Sequence, residues 1–182
     1  MKKIRKFEEL FIYFLLYSII GWIYEVLLIM FRDKLGFVNR GFLFGPYLPV
    51  YGFGAIVILL TVTRLKQKKI KVWKINITPI LVFLSIAAVT TLIELIASYF
   101  LEVITGKWLW EYSHYFMNFQ GRIALDPSLR FATGGTIFIY LLQPLFEKIV
   151  KKFSDKKLNI VFIVTLSIIL IDLFNKVIAL LK

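Results

Sequence analysis

A chain of 182 residues that is 59% hydrophobic and 17% aromatic, with a mean hydropathy of +0.79, carries more apolar surface than a soluble core of that length requires. Its net charge of +12 would suit nucleic acid in a soluble protein, but the basic residues stand in short blocks between apolar runs, as at a bilayer surface with anionic lipid headgroups. The absence of cysteine excludes disulfides, thiol nucleophiles and Cys-type zinc sites.

In chain order, about five segments approach the ~20 residues that cross hydrocarbon: 9–31, 47–64, 78–103, 129–148 and 158–181. They predict an all-α, polytopic integral membrane protein, a single transmembrane domain over 1–182 with two long irregular loops on its outer face. The first segment is too long for a signal peptide and no A-x-A-like site follows it, so it is expected to stay as a helix. It places Ser18, Gly21, Trp22 and Glu25 on one face, with Gly21 small enough to admit a neighbouring helix.

The first loop, FVNRGFLFGPYLPVYG, spans Phe37 to Gly52. Gly41, Gly45 and Gly52 permit close approach, Pro46 and Pro49 fix φ and remove donors, and Asn39 satisfies nearby backbone. Backbone this irregular is tolerated near membrane depth only under a cover of protein or water, which predicts a re-entrant cap with Arg40 meeting Glu25 or Glu94. The link 64–77 is lysine-rich and reads as a solvated connector.

The third segment sets Thr91, Glu94, Ser98 and Glu102 at spacings of three, four and four, two carboxylates and two hydroxyls on one face. The second irregular segment, Gly106 to Ser128, contributes Trp108, Trp110, Tyr112, Asn118, Gly121 and Arg122, and with Trp22 its aromatic rings form an interfacial belt or line a pocket. Its His114, the chain's one histidine, reads as an interfacial or hydrogen-bonding side chain. In the last segment Asp172 and Lys176, at i and i+4, read as a structural neutralisation.

Lys and Arg crowd the amino terminus and the links 64–77 and 148–157, so the amino terminus is expected in the cytoplasm and the long loops outside. On that topology Glu25, Glu94 and Glu102, with Arg40, Arg122, Asn39 and Asn118, line an outward polar cup; a carboxylate inside a membrane helix costs at least ~2.5 kcal/mol and needs a partner. Structural ion pairing and ligand contact both remain open for these groups. The order helix with Glu25, FVNRGFL, helix, and then helix with Glu94, FMNFQGRI, helix, also suggests a parallel repeat.

YSIIGWIYE at 17–25, FVNRGFLFGPYLPVYGFGA at 37–55, Glu94 and WLWEYSHYFMNFQGRIAL at 108–125 together resemble the bacterial membrane-protein family named Putative ABC-transporter type IV. The likeness covers roughly 13–135; Glu111 stands where that family often has Asp, and no Trp stands near Phe131. The resemblance implies a permease-like protein of the bacterial plasma membrane. Such a protein would bind or move a small solute or lipid, with ATP hydrolysis in a separate partner, since the chain has no P-loop motif.

A membrane enzyme acting on a lipid or isoprenoid, and a non-catalytic adaptor or regulator, are the alternatives. Neither a metal nor a cofactor signature is present. Expected partners are membrane lipids, an ATPase subunit and further copies of the chain, with no nucleic acid.

Overall fold

The computed structural model describes residues 2–34, 36–39, 41–106 and 110–181. Helix α1 is Lys2–Leu28, continued by a π-turn, Ile29–Asp33, that ends on Lys34 at φ +55°. After the first loop, α2 runs over Pro49–Gln67 with proline as its first residue, where the missing N–H costs nothing. A small hairpin, β1 (Lys71–Val72) and β2 (Ile75–Asn76), joins it to α3, Thr78–Thr105, which ends on Gly106 at φ +70°. Helix α4 (Leu125–Ile137), a second π-turn (Phe138–Leu142) and α5 (Gln143–Lys151) follow in one helical stretch, and α6 is Asp155–Leu181.

Four helices, Lys3–Phe31, Pro49–Gln67, Thr78–Val103 and Asp155–Ala179, are long and apolar enough to cross a membrane. Their faces explain why. Ile80, Leu84, Leu92, Ile96 and Phe100 of α3 and Ile163, Ile168, Ile171 and Phe174 of α6 are all exposed, an apolar surface far beyond what a monomer keeps in water. The expected segments sit where the helices are, with shifted ends: the second begins at Pro49 rather than 47, and the fourth, 129–148, falls inside the stretch 125–151. The link 64–77 is not a plain connector, since α2 continues to Gln67 and the rest forms the hairpin.

The chain packs as two compact units, Met1–Ile56 with Leu145–Lys182, and Val57–Pro144. In the first, Tyr17 is fully buried with its ring edge-on to Phe146, 5.1 Å between centroids. Ser18, Gly21 and Gly52 bring α1 and the start of α2 close together: a Cβ at Gly21 would overlap the Tyr51 ring, and one at Gly52 would overlap the Ser18 hydroxyl and the Phe14 carbonyl. Glu8, also buried, accepts from Asn159 at 2.7 Å, and Arg5 pairs with Glu9 and Asp155.

In the second unit, Val82 and Ile86 of α3 are sealed against the small face of α4, where Ala132 is fully buried and a Cβ at Gly135 would meet Ile86. The π-turn leaves carbonyls without their usual helical partners, and Lys66 reaches the Ile139 carbonyl at 2.5 Å while lying over the Tyr140 ring.

Gly52→Ala should destabilise the protein by about 1–3 kcal/mol, the usual cost of overpacking, whereas Gly54→Ala, with open space at its Cβ, should melt at or above wild type. Thermal unfolding of both variants in one detergent gives the comparison.

Candidate functional site

The first loop is held by side chains from three directions. Trp22 donates to the Asn39 side chain at 2.6 Å, and the Asn39 amide donates to the Phe44 carbonyl at 3.0 Å. The Leu48 N–H reaches the Ser18 carbonyl at 2.9 Å. Asp172 of α6 accepts from the N–H groups of Phe44 (3.0 Å) and Gly45 (2.8 Å) and from the Tyr47 hydroxyl. Burial, and then the Asp172 carboxylate, push the Tyr47 phenol well above its ordinary value, so it stays a donor.

Gly41, at φ +123°, lies against Leu48, and Gly45 lies against the Tyr47 ring with Pro46 between them. Lys176, expected as the partner of Asp172, stands over the rings of Phe42 and Phe44, while the hydrogen bonds of Asp172 go to the loop.

Glu25 accepts from the Tyr51 hydroxyl at 2.6 Å. The expected contact of Arg40 with a carboxylate, and the belt position of Trp108, lie outside the described residues.

In the second unit the predicted polar face of α3 is engaged along its whole length. Thr91 donates to Ser128 at 2.7 Å; Glu94 accepts from Tyr112 at 2.9 Å; Ser98 accepts from Arg122 at 2.9 Å; and Arg122 also pairs with Glu102. Arg122 is buried and its guanidinium lies 4.1 Å from the Tyr99 ring centroid. Burial, and then Glu94, raise the Tyr112 phenol far above its ordinary value.

The segment that delivers these groups is tightly folded. Tyr112 N–H reaches the Gly121 carbonyl at 2.7 Å, Phe119 N–H the Ile123 carbonyl at 2.9 Å, and Trp110 the Arg122 carbonyl at 2.8 Å. Asn118 donates to the carbonyls of Ser113 and Tyr115 and accepts from Gly121 N–H, closing the turn that aims Arg122. Gly121 is at φ +67°, with the Glu111 carboxylate and Ser113 hydroxyl where a Cβ would stand.

Glu94 is engaged through one oxygen only. It is nine-tenths buried, and its second oxygen, Oε2, has no hydrogen-bond partner among the described residues. The carboxylates of Glu94 and Glu102 against the one guanidinium of Arg122 leave this cluster one charge negative when all are ionised. One turn away along α3 lies an open groove of about 460 Å³, lined by residues such as Ala87, Thr91, Leu92, Met117, Leu125 and Ser128 and not by Glu94 itself. Thr91 belongs to both the polar ladder and the groove.

Of the residues singled out in the sequence, Glu94, Glu102, Arg122 and Tyr112 converge in the second unit, while Glu25, Asn39, Trp22 and Tyr51 belong to the first. Trp22 and Trp110 each donate to the protein, beyond any belt role. Sequence reasoning passed over Asp172 as a loop anchor and Tyr51 and Tyr112 as the carboxylate partners; a phenol at the right distance in the fold leaves no spacing signal. No group of three or more His, Cys, Asp or Glu among the described residues could hold a metal ion.

The family model described as Putative ABC-transporter type IV matches residues 12–177. The chain belongs to that family. The match takes in both carboxylate and phenol pairs, the Asp172 anchor and the Arg122 ladder. No curated protein and no solved structure matches the chain.

Two outcomes test this geometry. Tyr112→Phe should cost about 1–3 kcal/mol by removing the Glu94 donor, and adding Glu94→Leu should restore stability to within about 1 kcal/mol of wild type. Chemical denaturation of the two variants in one detergent gives both numbers.

The Ser113 side chain and N–H, helped by His114, hold the exposed Glu111 carboxyl below the usual range. A depressed folded value means the contribution is present above pH ~4 and lost as pH falls through the lower value. The protection of the Ser113 amide, measured against the intrinsic exchange rate at each pH, should therefore fall on acidification below that point, and Glu111→Gln should abolish this loss of protection.

Proposed function

We propose that the chain is the permease-like membrane component of a bacterial transport system, which binds or moves a small solute or lipid while a partner subunit hydrolyses ATP. The observation that carries this reading is the buried, half-satisfied carboxylate of Glu94 one turn from an apolar groove. A buried acceptor left open is costly, and on the same face Thr91, Ser98 and Glu102 each have a partner. A ligand group that donates hydrogen bonds or carries one positive charge would complete it, with an apolar portion in the groove.

Five spans, with the stretch 125–151 as the fourth, and a cytoplasmic amino terminus belong to the same proposal. Support comes from the helical continuity of that stretch and the lysine-rich links. The groove favours lipid handling as the second reading.

The test is affinity purification in mild detergent from the native membrane, with proteins and extractable lipids identified by mass spectrometry. An ATPase near equal molar amount is expected, together with a bound molecule lost in Glu94→Gln while the variant remains folded. Wild-type protein that carries a lipid but no ATPase would overturn the ATP-driven reading, and a bound molecule equally retained by Glu94→Gln would remove Glu94 from the site.

A further inference from the structure

Between Val57 and Ile93 the sequence contains no acidic residue, while Arg64, Lys66, Lys68, Lys69, Lys71 and Lys74 crowd one short stretch. Lys66 turns inward to the Ile139 carbonyl; the other five are exposed. They surround the hairpin, whose tip residue Trp73 is 98% exposed and sits at φ +57°, an unusual backbone for a bulky residue. Val72 and Ile75 on either side are exposed as well.

This tip is rigidly mounted. Thr78, nearly fully buried, accepts from Ile70 N–H at 2.9 Å and donates to the Lys68 carbonyl at 2.8 Å, and its own N–H reaches the Asn76 side chain at 3.1 Å. Ile77 N–H closes onto the Ile70 carbonyl at 3.0 Å, so the three residue steps from Ile70 to Trp73 form an arm of roughly 10 Å. Its base is fixed at the end of α2 and the start of α3, both helices able to cross a membrane, which sets the arm at headgroup depth.

We infer that this hairpin is an anchor for anionic lipid: Trp73, Val72 and Ile75 enter the boundary between headgroups and acyl chains, and Arg64, Lys68, Lys69, Lys71 and Lys74 hold lipid phosphates. Charge complementarity selects the occupant. Five cations without one anion repel a basic surface and suit a leaflet rich in acidic lipid. Indole prefers headgroup depth to water or hydrocarbon, and a structured arm presents it without an ordering cost. The anchor is independent of what the Glu94 site binds.

The cysteine-free chain allows a clean test on the full protein. Trp73→Cys carrying a spin label is placed in nanodiscs of phosphatidylcholine alone or mixed with phosphatidylglycerol, and its collisions with oxygen and with a water-soluble nickel chelate are compared. In the anionic discs oxygen access should exceed nickel access several-fold. That preference should be lost at high salt and in a variant with Lys69→Gln, Lys71→Gln and Lys74→Gln.

A label equally open to nickel in both discs would overturn the proposal, as would a label screened from both reagents, which would place a protein partner on the tip. Should the labelled variant fail to melt like wild type, quenching of native tryptophan by lipids brominated near the headgroup decides. Quenching must fall in Trp73→Phe, and unchanged quenching would overturn the anchor.

Discussion

Backbone N–H and C=O groups that leave regular helix must find other partners, and that need organises both irregular segments. In the first unit the carboxylate of Asp172 takes two consecutive N–H groups, Phe44 and Gly45, together with the Tyr47 hydroxyl. Leu48 N–H finds Ser18, and Asn39 supplies both a donor and an acceptor. In the second unit Asn118 and Trp110 do the same for three carbonyls and one N–H of the other irregular segment. Once the backbone is closed in this way, the side chains it carries have little freedom in where they point.

The helix carboxylates are met by phenols. Glu25 has Tyr51 and Glu94 has Tyr112, so each unit holds one such pair. A phenol supplies a strong donor without a second buried charge, and Tyr112 is driven further toward its neutral form by the same burial that makes the donor valuable. Arg122, by contrast, is matched to Glu102, Ser98 and the face of Tyr99, so its charge is spread over several partners. The site thus separates one carboxylate that an arginine neutralises from one that it does not.

Much of this was legible from residue order. Apolar run lengths located the long helices, and the three, four, four spacing of Thr91, Glu94, Ser98 and Glu102 correctly put four groups on one face, because helical period is a local property. The glycine and proline loop was recognisable as an irregular, non-helical segment for similarly local reasons. Partner identity was not. Which residue meets Glu94 depends on left-handed turns at Met117, Gln120 and Gly121, two of them at residues with no glycine signature. Asp172 lies 128 residues from Phe44, and nothing near either residue announces the bond. The hairpin was missed because a two-residue strand in a lysine run has too little pattern to read.

The π-turn at Phe138–Leu142 changes what its sequence means. Ala132, Gly135, Ile139, Phe146 and Val150 are all buried, and on an uninterrupted α-helix their spacing would form one straight apolar stripe. The extra residue of a π-turn swings everything after it by about 100°. Along this stripe Ala132, Gly135 and Ile139 serve the core of the second unit, and Phe146 and Val150 that of the first. A single helical rod can in this way belong to two packing neighbourhoods without a proline, a loop or any break in its hydrophobic pattern.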